Sequence, residues 1–135
     1  MGVECLIGTT CNRVFEHYPY NFTFEFGEAS LAVDCLWRIV AEGRLALTSL
    51  DHGQQFGLPA PIDAFAEALA LLRNRRVVTV RFEECSSDLH LEFEGGARLE
   101  VISDSAGYEP WNLRAPGVLL VALGGGGLSD SSDGA

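Results

Sequence analysis

The clearest pattern along the chain is an alternation of apolar and polar positions that breaks at glycine-containing turns and then resumes. In residues 21–26 the aromatic trio Phe22, Phe24 and Phe26 falls at period two, with Asn21, Thr23 and Glu25 between them. Such alternation puts one set of side chains on each face of a strand, with the apolar face toward a core. A turn follows at residues 27–30, and Leu31, Val33 and Cys35 return with the same parity. Residues 36–40 and 45–49 carry two more short strands, separated by Glu42-Gly43-Arg44. Arg13-Val14-Phe15 is a candidate first strand.

The second half repeats this plan. Residues 77–82 read as a strand; Leu89, Leu91 and Phe93 then alternate with His90, Glu92 and Glu94. Gly95-Gly96 turns the chain, and Leu99 and Val101 return. Trp111-Asn112-Leu113 stands after this pair where Trp37-Arg38-Ile39 stands after the first. A last apolar run, residues 118–123, follows Pro116-Gly117. From Gly124 the sequence GGGGLSDSSDGA has the composition of a flexible tail.

One segment has helical rather than strand period. After a Gly/Pro-rich loop at residues 51–61, Ile62, Phe65, Ala66, Leu69 and Leu72 recur at steps of three and four. Pro61 suits a first helical turn, and Asn74 suits the left-handed stop. With no second helix to receive it, this stripe needs a sheet. The expected architecture is α+β. Two related, pseudo-duplicated antiparallel β-meanders pack around one central helix in a single domain over residues 1–123, with residues 124–135 as the tail.

Composition narrows the function classes. The chain carries a formal net charge of −10, and each of its nine basic residues is arginine. Nucleic acid is disfavoured as a partner, since phosphates would be repelled by the summed field. A basic protein partner is admitted, as is a homodimer through unpaired sheet edges. No apolar run reaches the length of a membrane span, and the N-terminus lacks a signal-peptide pattern, so the expected compartment is cytoplasmic. Cys5, Cys11, Cys35 and Cys85 form no CxxC pair and are expected as reduced thiols.

Candidate chemistry is sparse. His17, His52 and His90 show no metal-ligand spacing, and no cofactor motif is present: the glycine run lacks the lysine and helix of a phosphate loop. Asp51-His52, or Glu83-Glu84 with Asp88, would be the acid–base groups of a small enzyme, but no nucleophile is placed beside Asp51-His52, and exposed carboxylates in a chain this acidic need no catalytic role. No residue is assigned a catalytic role. The most distinctive segment is Asp104, Tyr108, Glu109 and Trp111, where aromatics stand beside acids in a Gly/Pro-broken connection. Tyrosine and tryptophan bury much area at small rotamer cost, which suits a binding surface. Trp111 is equally readable as core, closing one end of the fold as Trp37 would in the other copy.

Tyr108-Glu109-Pro110-Trp111-Asn112-Leu113, followed by Pro116-Gly117 and a valine-containing run ending in Gly124-Gly125, resembles a family of small uncharacterised bacterial proteins with a Tyr-Glu-x-Trp segment and a Gly-Pro turn. Phe26-Gly27 and Trp37-Arg38 fit the same pattern, and Ala115 stands where the family usually has glycine. The resemblance implies no activity and carries over no catalytic residue. In size and charge the chain is also similar to bacterial immunity proteins. The expected function is therefore a non-enzymatic protein-binding module, with an immunity-type inhibitor as its specific form. The alternatives are a small-ligand binder, with a pocket between the meanders lined by Phe22, Phe24 and Phe26, and a small enzyme.

Overall fold

The computed structural model describes residues 2–133. Eleven strands form two antiparallel sheets: β1 (Cys11–Phe15), β2 (Phe22–Phe26), β3 (Ala29–Val33), β4 (Leu36–Ala41), β5 (Arg44–Thr48), β6 (Val77–Glu83), β7 (Asp88–Phe93), β8 (Arg98–Ile102), β9 (Trp111–Ala115), β10 (Val118–Ala122) and β11 (Leu128–Asp130). One sheet has the order β1-β2-β3-β9-β10-β11 and the other β5-β4-β8-β7-β6. The six-stranded sheet therefore joins β1–β3 from the first half of the chain to β9–β11 from the second, and the five-stranded sheet joins the β4–β5 hairpin to the β6–β8 meander. The chain changes sheets at β3→β4 and again at β8→β9.

The period-two face of every meander strand points into the space between the sheets. Phe24, Phe26, Leu31, Val33, Trp37, Ile39, Leu89, Leu91, Leu99, Val101, Trp111, Leu113 and Leu120 are all buried there. Phe24 meets the Trp37 ring edge-on at 5.3 Å, and Phe26 stacks with Phe93 at 6.3 Å. The inner face carrying Phe24 and Phe26 is thus filled by the opposing sheet, and the expected pocket between the meanders lined by all three phenylalanines does not form: Phe22 alone reaches the cleft described below, and Phe26 touches only a separate surface hollow beside Gly27 and Pro116. Tight turns follow local chemistry: between β4 and β5, Glu42 and Gly43 both have positive φ (54° and 74°), the requirement of a two-residue hairpin turn that matches strand twist.

The helix is not central. α1 (Ala64–Leu72) packs on β1, β4 and β5, covering the first edge of each sheet. The two inner sheet faces satisfy one another, so no helix is needed between them. The face it buries is Ala64, Ala68 and Leu72. Ala66, expected on that face, is exposed, and Phe65 and Leu69 are half-buried beside it. Two alanines at a four-residue step allow the close approach that a narrow seam demands. The helix starts after Pro61: Asp63 caps it, accepting from the N–H groups of Phe65 (3.0 Å) and Ala66 (3.2 Å). Asn74 takes the left-handed conformation at φ 65°. No helix among the described residues is long and apolar enough to cross a membrane.

The stretch expected as a flexible tail is instead part of the six-stranded sheet through residue 130. Leu128 pairs with Ala122 and Asp130 with Leu120. Beyond β11, the Ser131 N–H donates to the Leu119 carbonyl at 2.9 Å. Residues 134 and 135 of that stretch lie outside the described residues. The glycines at 124–127 serve close backbone packing rather than flexibility. A Cβ on Gly124 would lie 2.4 Å from the Gly107 carbonyl carbon, and one on Gly126 would lie 2.6 Å from the Cys85 carbonyl oxygen.

Candidate functional site

The two sheet-changing connections run side by side at one end of the molecule. The Asp34 N–H donates to the Pro110 carbonyl at 2.8 Å, and the Leu36 N–H to Asp104 Oδ2 at 3.1 Å. On either side of this double crossing lies a comparable space, bounded by the start of a meander strand and the end of a hairpin. The two spaces have been treated oppositely.

On the side of β7 and β10 the space is closed. The Ser87 hydroxyl donates toward the carbonyls of Leu123 (2.9 Å) and Gly127 (3.1 Å), and the Ser87 carbonyl accepts from Trp111 Nε1 at 2.8 Å. The glycine turn at 124–127 presses backbone against backbone at Gly107 and Cys85. No room is left for a ligand.

On the side of β2 and β5 it is open, as a cleft of about 580 Å³. Its floor is aromatic: Phe22 and Phe65 stack at 4.4 Å, and His52 stands edge-on to Phe65 at 5.0 Å. His52 Nδ1 accepts the Ala64 N–H at 3.1 Å, so the neutral ring carries its proton on Nε2. Trp37, which packs beneath Phe22 at 5.0 Å, is fully buried, yet its Nε1 has no hydrogen-bond partner among the described residues. Its counterpart Trp111 has one.

Three carboxylates line the cleft: Glu16, Asp34 and Asp104. Asp34 is engaged on both oxygens, by Asn21 Nδ2 at 2.8 Å and by the Tyr18 hydroxyl. Burial, reinforced by Asp34, pushes the Tyr18 phenol up to about 12. Glu16 uses Oε2 to accept the Tyr20 N–H at 3.1 Å, and Asp104 uses Oδ2 for Leu36. Among the described residues Glu16 Oε1 and Asp104 Oδ1 have no partner. Cys35 also lines the cleft, but burial, followed by the charges of Asp104, Asp34 and Asp88, raises its thiol far above its ordinary range. It is held as a thiol and is a poor nucleophile. At the rim, Tyr20 is 93% exposed and Leu50 74%. Tyr20 also holds φ at 69°, a left-handed conformation unusual for a bulky residue.

The residues singled out in the sequence are scattered by this geometry. Asp104 reaches the cleft, Tyr108 is 83% exposed on the β8–β9 connection with Glu109 beside it, and Trp111 is core. Asp51 and His52 do separate work: Asp51 Oδ2 accepts the Thr48 N–H at 2.9 Å in a capping turn, and His52 faces the aromatic floor. Glu83, Glu84 and Asp88 do not converge. Glu83 pairs with Arg81, Glu84 is exposed, and Asp88 Oδ1 accepts the Ser103 N–H at 2.8 Å. Among the described residues no group of three His, Cys, Asp or Glu side chains forms a metal site. All four cysteines are free.

The residues missed were Glu16, Tyr20 and Asp34. The alternation gave no signal of them, because Leu31, Val33, Cys35, Trp37 and Ile39 keep one parity straight through the change of sheet. Neither a curated protein nor a solved structure matches the chain. A family of unknown function, DUF6188, matches residues 21–132, from the start of β2 past β11, and the chain belongs to that family.

Proposed function

We propose that the chain is a non-enzymatic binding protein that captures a basic protein partner, receiving a guanidinium or ammonium group of that partner in the β2/β5 cleft. The observation that carries this reading is the unequal treatment of the two spaces beside the crossing. One is closed by a glycine turn; the other is left open, with an aromatic floor and two carboxylate oxygens that have no partner among the described residues. Exposed aromatic and aliphatic side chains at its rim, Tyr20 and Leu50, suit a protein surface, and the net charge of −10 favours encounter with a basic one. The absence of an activated nucleophile among the cleft residues agrees with binding rather than catalysis: Cys35 is held protonated.

In its specific form this is an immunity-type inhibitor acting in the bacterial cytoplasm, with the cleft neutralising a basic toxin. The exchange of strands between halves, with β4–β5 beside β6–β8 in one sheet and β9–β10 beside β1–β3 in the other, further supports an internal duplication, in which the second copy lost its cleft to the glycine turn. A second reading, a small cationic ligand, is favoured by the volume of the cleft, which is within the usual range for such sites.

The test uses the wild-type chain and the variant Glu16→Gln/Asp104→Asn. Each is used to isolate partners from source cells, and the purified partner is then titrated by calorimetry. The double variant should bind at least about tenfold more weakly, and the wild-type affinity should fall with added salt. Equal affinity for the two chains would contradict the reading. Retention of a small amine with no protein partner would favour the second reading.

A further inference from the structure

The outer face of the six-stranded sheet, away from the core, carries a second concavity of about 400 Å³. Its centre is built from two neighbouring strands: Ser30 lies opposite Arg114, and Ala32 opposite Asn112. Side chains two residues apart on a strand share a face, so these four form one patch. The short side chains of β3 leave it hollow, and Phe15 and Tyr18 wall it.

The polar groups of this patch are unused. Among the described residues the Arg114 guanidinium meets no carboxylate, and neither the Ser30 hydroxyl nor the Asn112 amide makes a hydrogen bond. Glu25, opposite Ser30 on the other side, is already engaged by Arg13 at 3.7 Å and by Asn12 Nδ2 at 3.2 Å. The Tyr18 hydroxyl is committed to Asp34, so Tyr18 offers the groove an apolar ring rather than a free donor. One side of Phe15 is covered by Arg13, whose guanidinium carbon lies 4.0 Å from the ring centroid.

We propose that this groove binds a small monoanionic carboxylate carried on an aromatic body. The planar guanidinium of Arg114 takes the carboxylate through two parallel hydrogen bonds, a geometry that matches carboxylate oxygens well. Asn112 and Ser30 supply further donors, and Phe15 and Tyr18 pack against the ring. The overall charge of −10 selects among anions. A dianion such as a phosphate monoester meets about twice the long-range repulsion of a monoanion, whereas the local recognition is similar. The site is separate from the cleft and does not depend on the function proposed for it.

The experiment is an NMR titration of the full chain with phenylacetate, with phenylacetamide and phenyl phosphate as comparison probes. Phenylacetate should give saturable shifts at Ser30, Asn112 and Arg114, and phenylacetamide should bind at least about tenfold more weakly. Arg114→Gln should lose about tenfold or more in affinity, and Arg114→Lys should keep part of it, since lysine retains the charge without the fork. Arg114 is exposed, so both variants should unfold at the wild-type temperature. Failure to saturate, equal binding of the amide, or an unchanged affinity in Arg114→Gln would overturn the site. Phenyl phosphate binding as tightly as phenylacetate would overturn the assignment of carboxylate.

Discussion

The spaces on either side of the double crossing are built from equivalent strand ends and hold opposite solutions. Ser87 is used on both sides: its hydroxyl and carbonyl bridge the hairpin end to Trp111, and glycine lets the backbones touch. On the open side Asn21 is satisfied as well, but inwardly. Asn21 donates to Asp34 Oδ1 and accepts the Thr23 hydroxyl at 2.5 Å, and the cleft beyond is left unfilled. The comparison separates what a fold needs from what it can spare. The closed side is a stability device, and the open side is a surface the core does not require.

The largest effect should come from breaking the closed side. Gly124→Val places atoms inside the van der Waals contact of the Gly107 backbone and should cost about 3 kcal/mol or more in denaturant unfolding. A substitution at Leu50, on the open rim, should change stability by less than about 0.5 kcal/mol. Similar costs at the two positions would erase the distinction.

The tryptophans give the next contrast. Trp111→Phe leaves the Ser87 carbonyl without its buried donor and should cost about 2–3 kcal/mol. Trp37→Phe removes an N–H without a partner among the described residues and should cost about 1 kcal/mol less, measured in the same unfolding assay. The reverse order would show that the Trp37 indole is bonded in solution.

How much of this was legible in the sequence follows from what local pattern can encode. Period two located the strands, because burial of one face is a local property of Phe22-Thr23-Phe24. It did not reveal that Thr23 and Asn21 are also buried, since their burial rests on a hydrogen-bonded cluster assembled from a later strand end. Nor does alternation say which sheet a strand joins, so the partners of β4 and β9 were invisible, and with them the cleft. The glycine run misled for a physical reason: composition cannot distinguish glycine that frees a chain from glycine that lets two backbones meet. The helix was visible, but a shift of two residues in its buried face, from Ala66 to Ala64 and Ala68, changed what it covers. Of the chosen site residues, only Asp104 reaches the cleft.

A smaller effect tests a region that belongs to neither side. On the outer face of the five-stranded sheet, Arg38, Glu100 and His90 lie in one cross-strand row. Glu100 accepts from Arg38 Nε at 2.6 Å and lies 3.5 Å from Arg98 Nε. Burial alone would raise the Glu100 carboxyl, but the hydrogen bond and charge of Arg38, with Arg98 and His90, hold it below its ordinary 4.5. The folded state therefore favours the ionised form. Its stabilising contribution is complete above about pH 4.5 and is lost as pH falls through the lower, folded value. Glu100→Gln should cost about 1 kcal/mol near neutral pH, and the difference from wild type should vanish in acid. Partner affinity should not change.

The smallest effect has the opposite sign. Tyr20→Gly relieves a left-handed tyrosine and should leave stability unchanged or raise it by up to about 0.5 kcal/mol, while weakening partner binding through loss of the exposed ring. A variant that is no less stable but binds worse would mark Tyr20 as a residue kept for recognition. The most direct test of the central claim is the hydrogen-exchange footprint of the captured partner on the chain. Protection should fall on residues 16–22, 34–36 and 49–52, around the open cleft; protection confined to residues 84–87 and 105–109 would place recognition on the closed side and contradict the account.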